Sequence, residues 1–213
     1  MTDYHPTPRT RVHRRSERGV YDRDVVHKII DEALVCHVGF VLTGEPRVLP
    51  TTILRIDEDV YIHGSTNNGL LTALAAGAPA CITVTLIDSI VAGRSGFGCS
   101  MDYRSAVIYA TAETVAESDK ERIMDAFVQD IIPGHKVRRP TQSELDATLI
   151  LRFPLGEVSA KVRDCGVVDV ESDYELDLWA GIIPLKLSAG PAKSDGRLKP
   201  GTRIPDFANS YRR

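Results

Sequence analysis

The chain has 213 residues and a mass of 23.4 kDa, and its 26 basic and 29 acidic residues give a formal net charge of −3. Its content of 43% hydrophobic and 26% charged residues is that of an ordinary globular domain, which excludes a disordered, collagen-like or coiled-coil chain. The length predicts one domain that buries about 70% of its surface on folding. The balanced charge gives no overall indication of nucleic acid or of an anionic membrane.

Residues 1–20 are predicted to form a basic extended arm. Its arginines have no aromatic residues between them, so we favour an arm that covers the domain or a partner subunit over one that binds nucleic acid. These arginines are Arg9, Arg11, Arg14, Arg15 and Arg18. Residues 21–186 are predicted as the folded domain. Residues 187–213, which are rich in Gly, Pro and Lys, are predicted as a C-terminal tail.

The first elements of the domain are a helix and a meander of strands. Apolar residues at three-to-four spacing predict a helix that Asp22 caps. Three β-rich segments with short turns between them then predict antiparallel pairing. In chain order, the predicted elements are strands at 36–42, 48–56 and 60–63, a helix at 70–76, and strands at 80–87 and 107–115.

Two capping-box patterns open the later helices. Ser118 and Glu121 are predicted to cap the best helix of the chain, and Thr141 and Glu144 a shorter one. Two last strands are predicted at 149–153 and 156–163. Because strand–helix–strand units do not recur regularly, the order favours a small antiparallel barrel with packed helices over a doubly wound sheet.

Several chemistries lack sequence support. No two histidines have metal-ligand spacing and there is no P-loop motif, so neither a metal site nor a P-loop nucleotidase is expected. The four cysteines form no CxxC pair, and no apolar signal core is present, which predicts a cytoplasmic location. The uncharged stretch 70–87 contains Gly77 and Pro79 and is interpreted as a helix, a turn and a strand, with no membrane span expected.

Two polar segments are typical of a binding site. Residues 63–69, HGSTNNG, join a strand end to a helix start, where N–H groups favour a phosphate; an ordinary helix cap uses the same residue types. Residues 100–105 contain Arg104, a natural bidentate partner of a phosphate. The alternative for this segment is a simple ion pair between Asp102 and Arg104.

Seven short motifs in order give the chain a resemblance to a known family. They are an opening made of RTRV at 9–12 and RGVYD at 18–22, then CHVGF at 36–40, LPT at 49–51, HGST at 63–66, MDYRS at 101–105, SAKVR at 159–163 and WAGIIPL at 179–185. The chain resembles the pyridoxamine 5′-phosphate oxidase-related FMN-binding split β-barrel proteins, in the flavin-nucleotide-binding or nitroimidazole-resistance-like branch.

The resemblance implies a mainly β fold with helices, a six-stranded antiparallel split β-barrel, and a homodimer with FMN in a groove at the subunit interface. It implies contacts to the isoalloxazine ring from Pro50, Thr51 and Thr52. It implies contacts to the ribityl chain and phosphate from His63, Gly64, Ser65, Thr66, Asn67 and Asn68. Arg104 and Ser105 would contact the phosphate end, and Lys161 and Trp179 would reach the site from the partner subunit.

The function implied is that of an FMN-dependent oxidoreductase acting on an unidentified small molecule, with His63 as the candidate for proton transfer. Oxidation of pyridoxamine phosphate itself is not expected, because Asn68 and Gly69 stand where the authentic oxidases have a basic pair. The alternatives are a flavin carrier or sensor without turnover, and a split barrel that holds haem, with His63 as iron ligand, or a deazaflavin.

Overall fold

The computed structural model describes residues 3–212 and is mainly β. Within these residues, the strands are β1 (Gly19–Val20), β2 (Val35–Leu42), β3 (Glu45–Thr52), β4 (Leu54–Ile56), β5 (Asp59–Ser65), β6 (Pro79–Ala92), β7 (Ser100–Thr111), β8 (Glu113–Thr114), β9 (Thr148–Pro154), β10 (Val158–Arg163) and β11 (Gly181–Pro184). The α-helices are α1 (Arg23–Glu32), α2 (Gly69–Ala75), α3 (Glu117–Ile131), α4 (Gln142–Asp146) and α5 (Asp206–Asn209).

The strands form two antiparallel sheets that do not close into a barrel. Sheet A has the order β1-β10-β7-β6-β2-β3, with β11 also paired to β6, and sheet B has the order β4-β5-β9-β8. The described strands number eleven, whereas the sequence patterns predict seven and the family resemblance implies six; the difference arises partly because two of the seven predicted strands are each divided. The segment 48–56 contributes β3 to sheet A and β4 to sheet B, which lets the chain pass from one sheet to the other.

Helix α1 and the inner face of sheet A enclose the main core. The Asp22 carboxylate accepts a hydrogen bond from the Val25 amide, which confirms the predicted cap. The helix buries Val26, Ile29 and Ile30. Sheet B contributes to the same cluster from its inner face, so one core lies between the sheets. Its sheet residues include Val38, Ile82, Val84, Ala106, Ile108 and Ala160 from sheet A and Val60, Ile62, Leu151 and Phe153 from sheet B.

Helix α3 covers the other face of sheet B. Ile123 and Phe127 of the helix pack on Tyr61 and Ile150 of the sheet in a second buried cluster. The predicted Ser118 capping box is wrong: the helix begins at Glu117, its N-cap is Ala116, and no side chain caps it. Ser118 therefore lies inside the first turn, where its hydroxyl is not in the capping position.

The predicted capping box of α4 is confirmed. The Thr141 hydroxyl accepts a hydrogen bond from the Glu144 amide, and the Glu144 carboxylate accepts one from the Thr141 amide. Both sequence patterns read S/T-x-x-E, so they differ only in where the chain enters the helix.

The segment before α1 packs on the domain. Tyr4 is buried, and its hydroxyl donates to Glu58. Further along, the Arg9 guanidinium lies over the Tyr109 ring, 4.7 Å from its centroid, and the Lys161 ammonium donates to the Arg14 carbonyl oxygen at 3.1 Å. This segment is therefore held at both of its ends by the folded domain.

The last residues of the described chain also contact the domain. The Tyr211 hydroxyl donates to the Ile131 carbonyl oxygen at the end of α3, and the Phe207 ring packs against His135. Among residues 3–212, no helix combines the length and apolar character needed to cross a membrane. The four cysteines form no disulfide.

Candidate functional site

The outer face of sheet A, the face opposite the main core, carries small and polar side chains. The strand register aligns His37, Thr83 and Val107 in one cross-strand row. It aligns Thr85, Ser105 and Lys161 in a parallel row. Side chains on neighbouring strand positions alternate between faces, so these residues share the face that Ile82, Ala106 and Ile108 do not occupy. The result is a shallow, polar floor that lies open along much of its length.

Four of the thirteen predicted site residues lie on this outer face. Pro50 pairs with His37, and Thr52 pairs with Val35, at the edge formed by β3. Ser105 and Lys161 pair with each other near the other side of the sheet. Thr51 is on the opposite side, since its cross-strand partner is the buried Cys36.

The predicted phosphate loop follows β5 at the end of sheet B and leads into α2. Asn68 is the N-cap of α2, and its side-chain oxygen accepts hydrogen bonds from the amides of Leu70 and Leu71. The Ser65 hydroxyl accepts from the Asn67 amide, and the Thr66 amide donates to Ala147. The loop thus forms an ordinary helix cap, which the sequence analysis gave as the alternative to a phosphate site. Its contact with a cofactor stays a prediction.

Gly64 has a packing role at the start of this loop. A Cβ atom at this position would lie 2.9 Å from the Cδ1 atom of Leu71, so a larger residue would require this side chain of α2 to shift.

His63 faces helix α3. Its ring packs edge-on against Phe127 with a centroid distance of 4.4 Å. Its Nδ1 atom is buried and, within residues 3–212, has no hydrogen-bond partner. Burial lowers the pKa of His63, because the charged imidazolium is disfavoured away from water. Burial thus favours the neutral form of the His63 imidazole, and a neutral imidazole can ligate a metal.

Arg104 is engaged by two carboxylates of its own chain. Its guanidinium donates to Glu32 of α1 and to Asp88 of β6, with shortest distances of 2.6 Å to each. Hydrogen bonds from Arg104 to these carboxylates raise the pKa of Arg104. Its contact with a phosphate stays a prediction, and it would require the guanidinium to exchange at least one of these partners.

The predicted alternative, an ion pair between Asp102 and Arg104, is wrong. Asp102 is buried and pairs with Arg163 instead, and it also accepts hydrogen bonds from the Ser89 hydroxyl and the Cys165 amide. A register irregularity in β6 between Ile87 and Ser89 separates the two sites, since Asp102 lies opposite Ser89. Burial alone would raise the pKa of Asp102, but the hydrogen bonds and the Arg163 charge lower it overall.

A basic pocket of about 360 Å³ lies at the Lys161 end of the outer face. Its cationic lining residues are Arg14, Arg15, Arg18, Lys161 and Arg163, and its other lining residues are Phe97, Gly98, Ser100, Tyr103 and Val168. The arginine cluster was visible in the sequence, but its contact with β7 and β10 was not, because that contact joins segments far apart in the chain.

Two further features complete the surroundings. Trp179 is 69% exposed just before β11, and its ring lies against Gly181, where a Cβ atom would be 2.9 Å away. A cleft of about 970 Å³ separates α3 from the α4 region and is lined by none of the predicted site residues. Within residues 3–212, no group of three or more His, Cys, Asp or Glu side chains is arranged to hold a metal ion.

The comparisons with known proteins agree on one family. Residues 22–162 match the family model described as pyridoxamine 5′-phosphate oxidase. No curated protein matches the chain. The flavocytochrome Anf3 from Azotobacter vinelandii is 33% identical, with a TM-score of 0.92 over 98% of this chain and 99% of that chain.

Two other solved structures are similar over less of the chain. The FAD and heme binding protein from Mycobacterium smegmatis is 33% identical, with a TM-score of 0.86 over 89% of this chain and 95% of that chain. A candidate 5-nitroimidazole antibiotic resistance protein from Bacteroides thetaiotaomicron shares the fold, with a TM-score of 0.57 and 22% identity over 68% of this chain and 86% of that chain. The family match spans well over half of the chain, and the chain therefore belongs to the pyridoxamine 5′-phosphate oxidase family, as its sequence motifs indicated.

Proposed function

We propose that this protein is a flavin-dependent redox protein that also holds a haem. The observation that carries the proposal is the similarity to the flavocytochrome Anf3 at 33% identity over nearly the whole of both chains. A second solved structure, also 33% identical in sequence, is that of a protein that binds FAD and haem. The sequence motifs favoured FMN, whereas the second of these relatives is an FAD-binding protein, so we propose FAD as the flavin.

The outer face of sheet A is the surface best suited to a flat ring. Thr83, Ser105 and neighbouring small side chains leave room above the sheet, and the hydroxyl groups can donate or accept hydrogen bonds at the ring edge. Pro50 and Thr52, for which the family resemblance implies contacts to the ring, border this floor at β3. A bound flavin supplies hydride and electron transfer, which protein side chains cannot perform. The chain's own residues bind the ring, orient it and fix the charge near it.

His63 is our candidate for the haem iron ligand. Its buried Nδ1 atom has no hydrogen-bond partner within the described residues, an arrangement that a bound metal would satisfy. Burial lowers the pKa of His63 and so favours the neutral imidazole, the form that binds a metal. We assign proton transfer to no residue, since His63 is used here as a ligand.

We further propose a homodimer. The β2–β3 hairpin exposes apolar side chains on both of its faces, which a monomer would leave in water. These residues are Val35, Val41, Leu42, Val48 and Leu49. A second copy of the chain would cover them and would bring residues such as Trp179 towards its partner's site. Light scattering of the purified protein should give twice the mass of one chain. The Val48→Asp variant should give a mass closer to that of one chain.

The first experiment is a visible absorbance spectrum of freshly purified protein, with each released chromophore identified by mass. FAD together with haem is the expected result. Reduction of the flavin by a nicotinamide donor, followed by reoxidation with an acceptor, would favour an oxidoreductase over a carrier or sensor. A protein without either chromophore that also ignores added FAD and haem would overturn the proposal.

The haem ligand is tested by His63→Phe, which keeps an aromatic ring beside Phe127. We expect the haem absorbance band to disappear while the flavin band remains. His135→Phe is the matched control, because His135 also packs on a phenylalanine ring but lies outside the predicted site. Retention of haem by the His63 variant would remove His63 from this role.

We also propose a cytoplasmic location, with which the four free cysteines are compatible.

A further inference from the structure

The basic pocket brings two distant parts of the chain together. Arg14, Arg15 and Arg18 come from the segment before α1, while Lys161 and Arg163 come from β10. The Lys161 ammonium donates to the Arg14 carbonyl oxygen at 3.1 Å and so holds this segment against the sheet. The cluster therefore forms by tertiary packing of the arginine segment against β10, and this segment is not an arm surrounded by water.

The positive charge in the pocket is only partly balanced by the chain. Arg163 is paired with the buried Asp102. Glu17 is 4.0 Å from Arg15 and 3.9 Å from Arg18, so these two arginines share one carboxylate at long range. Among residues 3–212, neither Arg14 nor Lys161 forms an ion pair with a carboxylate. Like charges held this close repel one another, and an anion in the pocket would relieve that repulsion.

The backbone of the arginine segment is strained in a way that supports a binding role. Arg15 has φ 57° and ψ 54°, in the left-handed region that disfavours residues with a Cβ atom. Such conformations cost free energy and persist only where the surrounding structure requires them. Here the left-handed residue turns the chain between Arg14 and the short 3-10 helix that ends at Arg18.

Aromatic side chains border the same pocket. Phe97 is fully exposed to solvent in the loop between β6 and β7, and Tyr103 lies on β7 beside the cations. Exposed aromatic rings next to arginines are the combination that binds nucleotides, because the base stacks on a ring while the phosphates meet the guanidinium groups.

Lys161 connects the basic pocket to the outer face of sheet A. It lines the pocket and also ends the cross-strand row that contains Thr85 and Ser105. A ligand whose ring lies on this floor could therefore extend its charged end past Lys161 towards the arginines. We propose that the basic pocket binds the pyrophosphate of a dinucleotide, with the adenine near Phe97; this rests on the proposed flavin function, for which FAD is the corresponding dinucleotide.

The test is calorimetric titration of the full chain after dialysis against a chaotropic salt has removed bound nucleotide. The probes are inorganic phosphate, sodium pyrophosphate and ADP. The wild-type protein should bind pyrophosphate and ADP more tightly than phosphate. Arg14→Gln should weaken both by about tenfold or more, as expected for loss of a hydrogen bond to a charged group.

Arg11→Gln is the matched control, because Arg11 is an exposed arginine three positions away that does not line the pocket. It should change the dissociation constants by less than about twofold, the range expected from long-range charge at physiological salt. Equal weakening by the two variants would mean nonspecific attraction and would overturn the proposal. So would a wild-type protein that binds pyrophosphate no better than phosphate.

Phe97→Ser tests the position of the base. It should weaken the binding of ADP by about fivefold or more, because the stacking of the base is lost, and should leave the affinity for pyrophosphate unchanged. Unchanged ADP binding would contradict the placement of the adenine near Phe97. Because Phe97 is fully exposed, this substitution removes no core packing.

Riboflavin separates this proposal from the proposed function, because it has the flavin ring without phosphate. Riboflavin binding by a protein that ignores pyrophosphate would overturn the pocket and leave the flavin function standing. The reverse result, pyrophosphate and ADP binding with no affinity for riboflavin or FAD, would retain a phosphate site and remove the flavin function.

Discussion

The two sheets differ in what covers them. Sheet B is covered on both faces, with Ile62 and Leu151 in the main core and Tyr61 and Ile150 under helix α3. Sheet A is covered by the core on one face only, while much of its outer face carries Thr83, Thr85 and other small or polar side chains in partial contact with solvent. The covered faces of sheet B mainly support the fold, whereas an open sheet face can bind a flat ligand or a partner directly.

The difference also explains where charges lie. On sheet A, cations gather at the end of the outer face, and the single most buried ion pair, Asp102 with Arg163, lies beside them. The ion pairs of sheet B, such as Arg152 with Asp59 at 3.0 Å, are more exposed. Substitutions in the two regions should therefore have different sizes and different readouts.

The largest effect is expected from Asp102→Ala. Removing this carboxylate leaves Arg163 buried without its ionic partner, which should lower the free energy of unfolding by about 3–5 kcal/mol. Urea denaturation measures the change. An equally stable variant would mean that Arg163 moves to solvent at no cost.

The same pair predicts a pH dependence. The folded-state pKa of Asp102 lies below its ordinary value of 3.8, so its contribution is present above that pH and is lost as the pH falls through the lower folded-state pKa. The stability of the wild-type protein should thus fall more steeply in this acid range than that of Asp102→Ala. Parallel acid profiles would contradict the assignment.

The comparison of faces is tested directly by Ile150→Ala and Val107→Ala. Ile150 is fully buried beneath α3, and its truncation should cost about 3 kcal/mol through lost burial and a cavity. Val107 lies half-buried on the outer face of sheet A, and the same truncation should cost about 1 kcal/mol or less. Similar losses from thermal or urea unfolding would show that a partner or another part of the chain covers the outer face as fully as α3 covers sheet B.

A smaller effect is expected from Arg104→Ala. Its partners Glu32 and Asp88 are more than one-third exposed, so solvent screens the lost pairs and the cost should be about 1 kcal/mol. The family resemblance places Arg104 at the phosphate, so FMN should lose more affinity than riboflavin, which has no phosphate. Equal losses of affinity would limit Arg104 to its ion pairs with Glu32 and Asp88.

The smallest effects concern the two S/T-x-x-E patterns. Thr141→Ala removes an observed cap and should cost about 0.5 kcal/mol, at the low end for helix caps because α4 is short and exposed. Ser118→Ala removes no capping hydrogen bond and should change stability by less than that. A larger loss at Ser118 than at Thr141 would mean that α3 begins later in solution.

Much of the fold was predictable because local patterns agreed with the tertiary structure. The apolar stripe and Asp22 defined α1, and short β-rich segments bounded by turns defined β2 and β5. The division of 48–56 between two sheets was missed, since its residues have strand character throughout and only packing determines which sheet each half joins. The Ser118 error has the same cause, because a capping pattern does not fix the residue at which the chain turns into the helix.

The site was predictable only in part. The family motifs pointed to Pro50, Thr52, Ser105 and Lys161, and the strand register brings these four to one face. No local signal showed that Asp102 pairs with Arg163 across 61 positions, or that the arginines near residue 15 meet β10. These contacts depend on side chains from distant segments.

The sequence by itself determined the mainly β class, the positions of most helices and strands, and the family, because these depend on residue periodicity and on short motifs within each segment. Only the tertiary structure decided which face of sheet A stays open, which carboxylate each arginine takes, and that the basic segment closes a pocket with Lys161. The physical reason is that burial and charge pairing are properties of surfaces assembled from several segments, and no one segment specifies its neighbours.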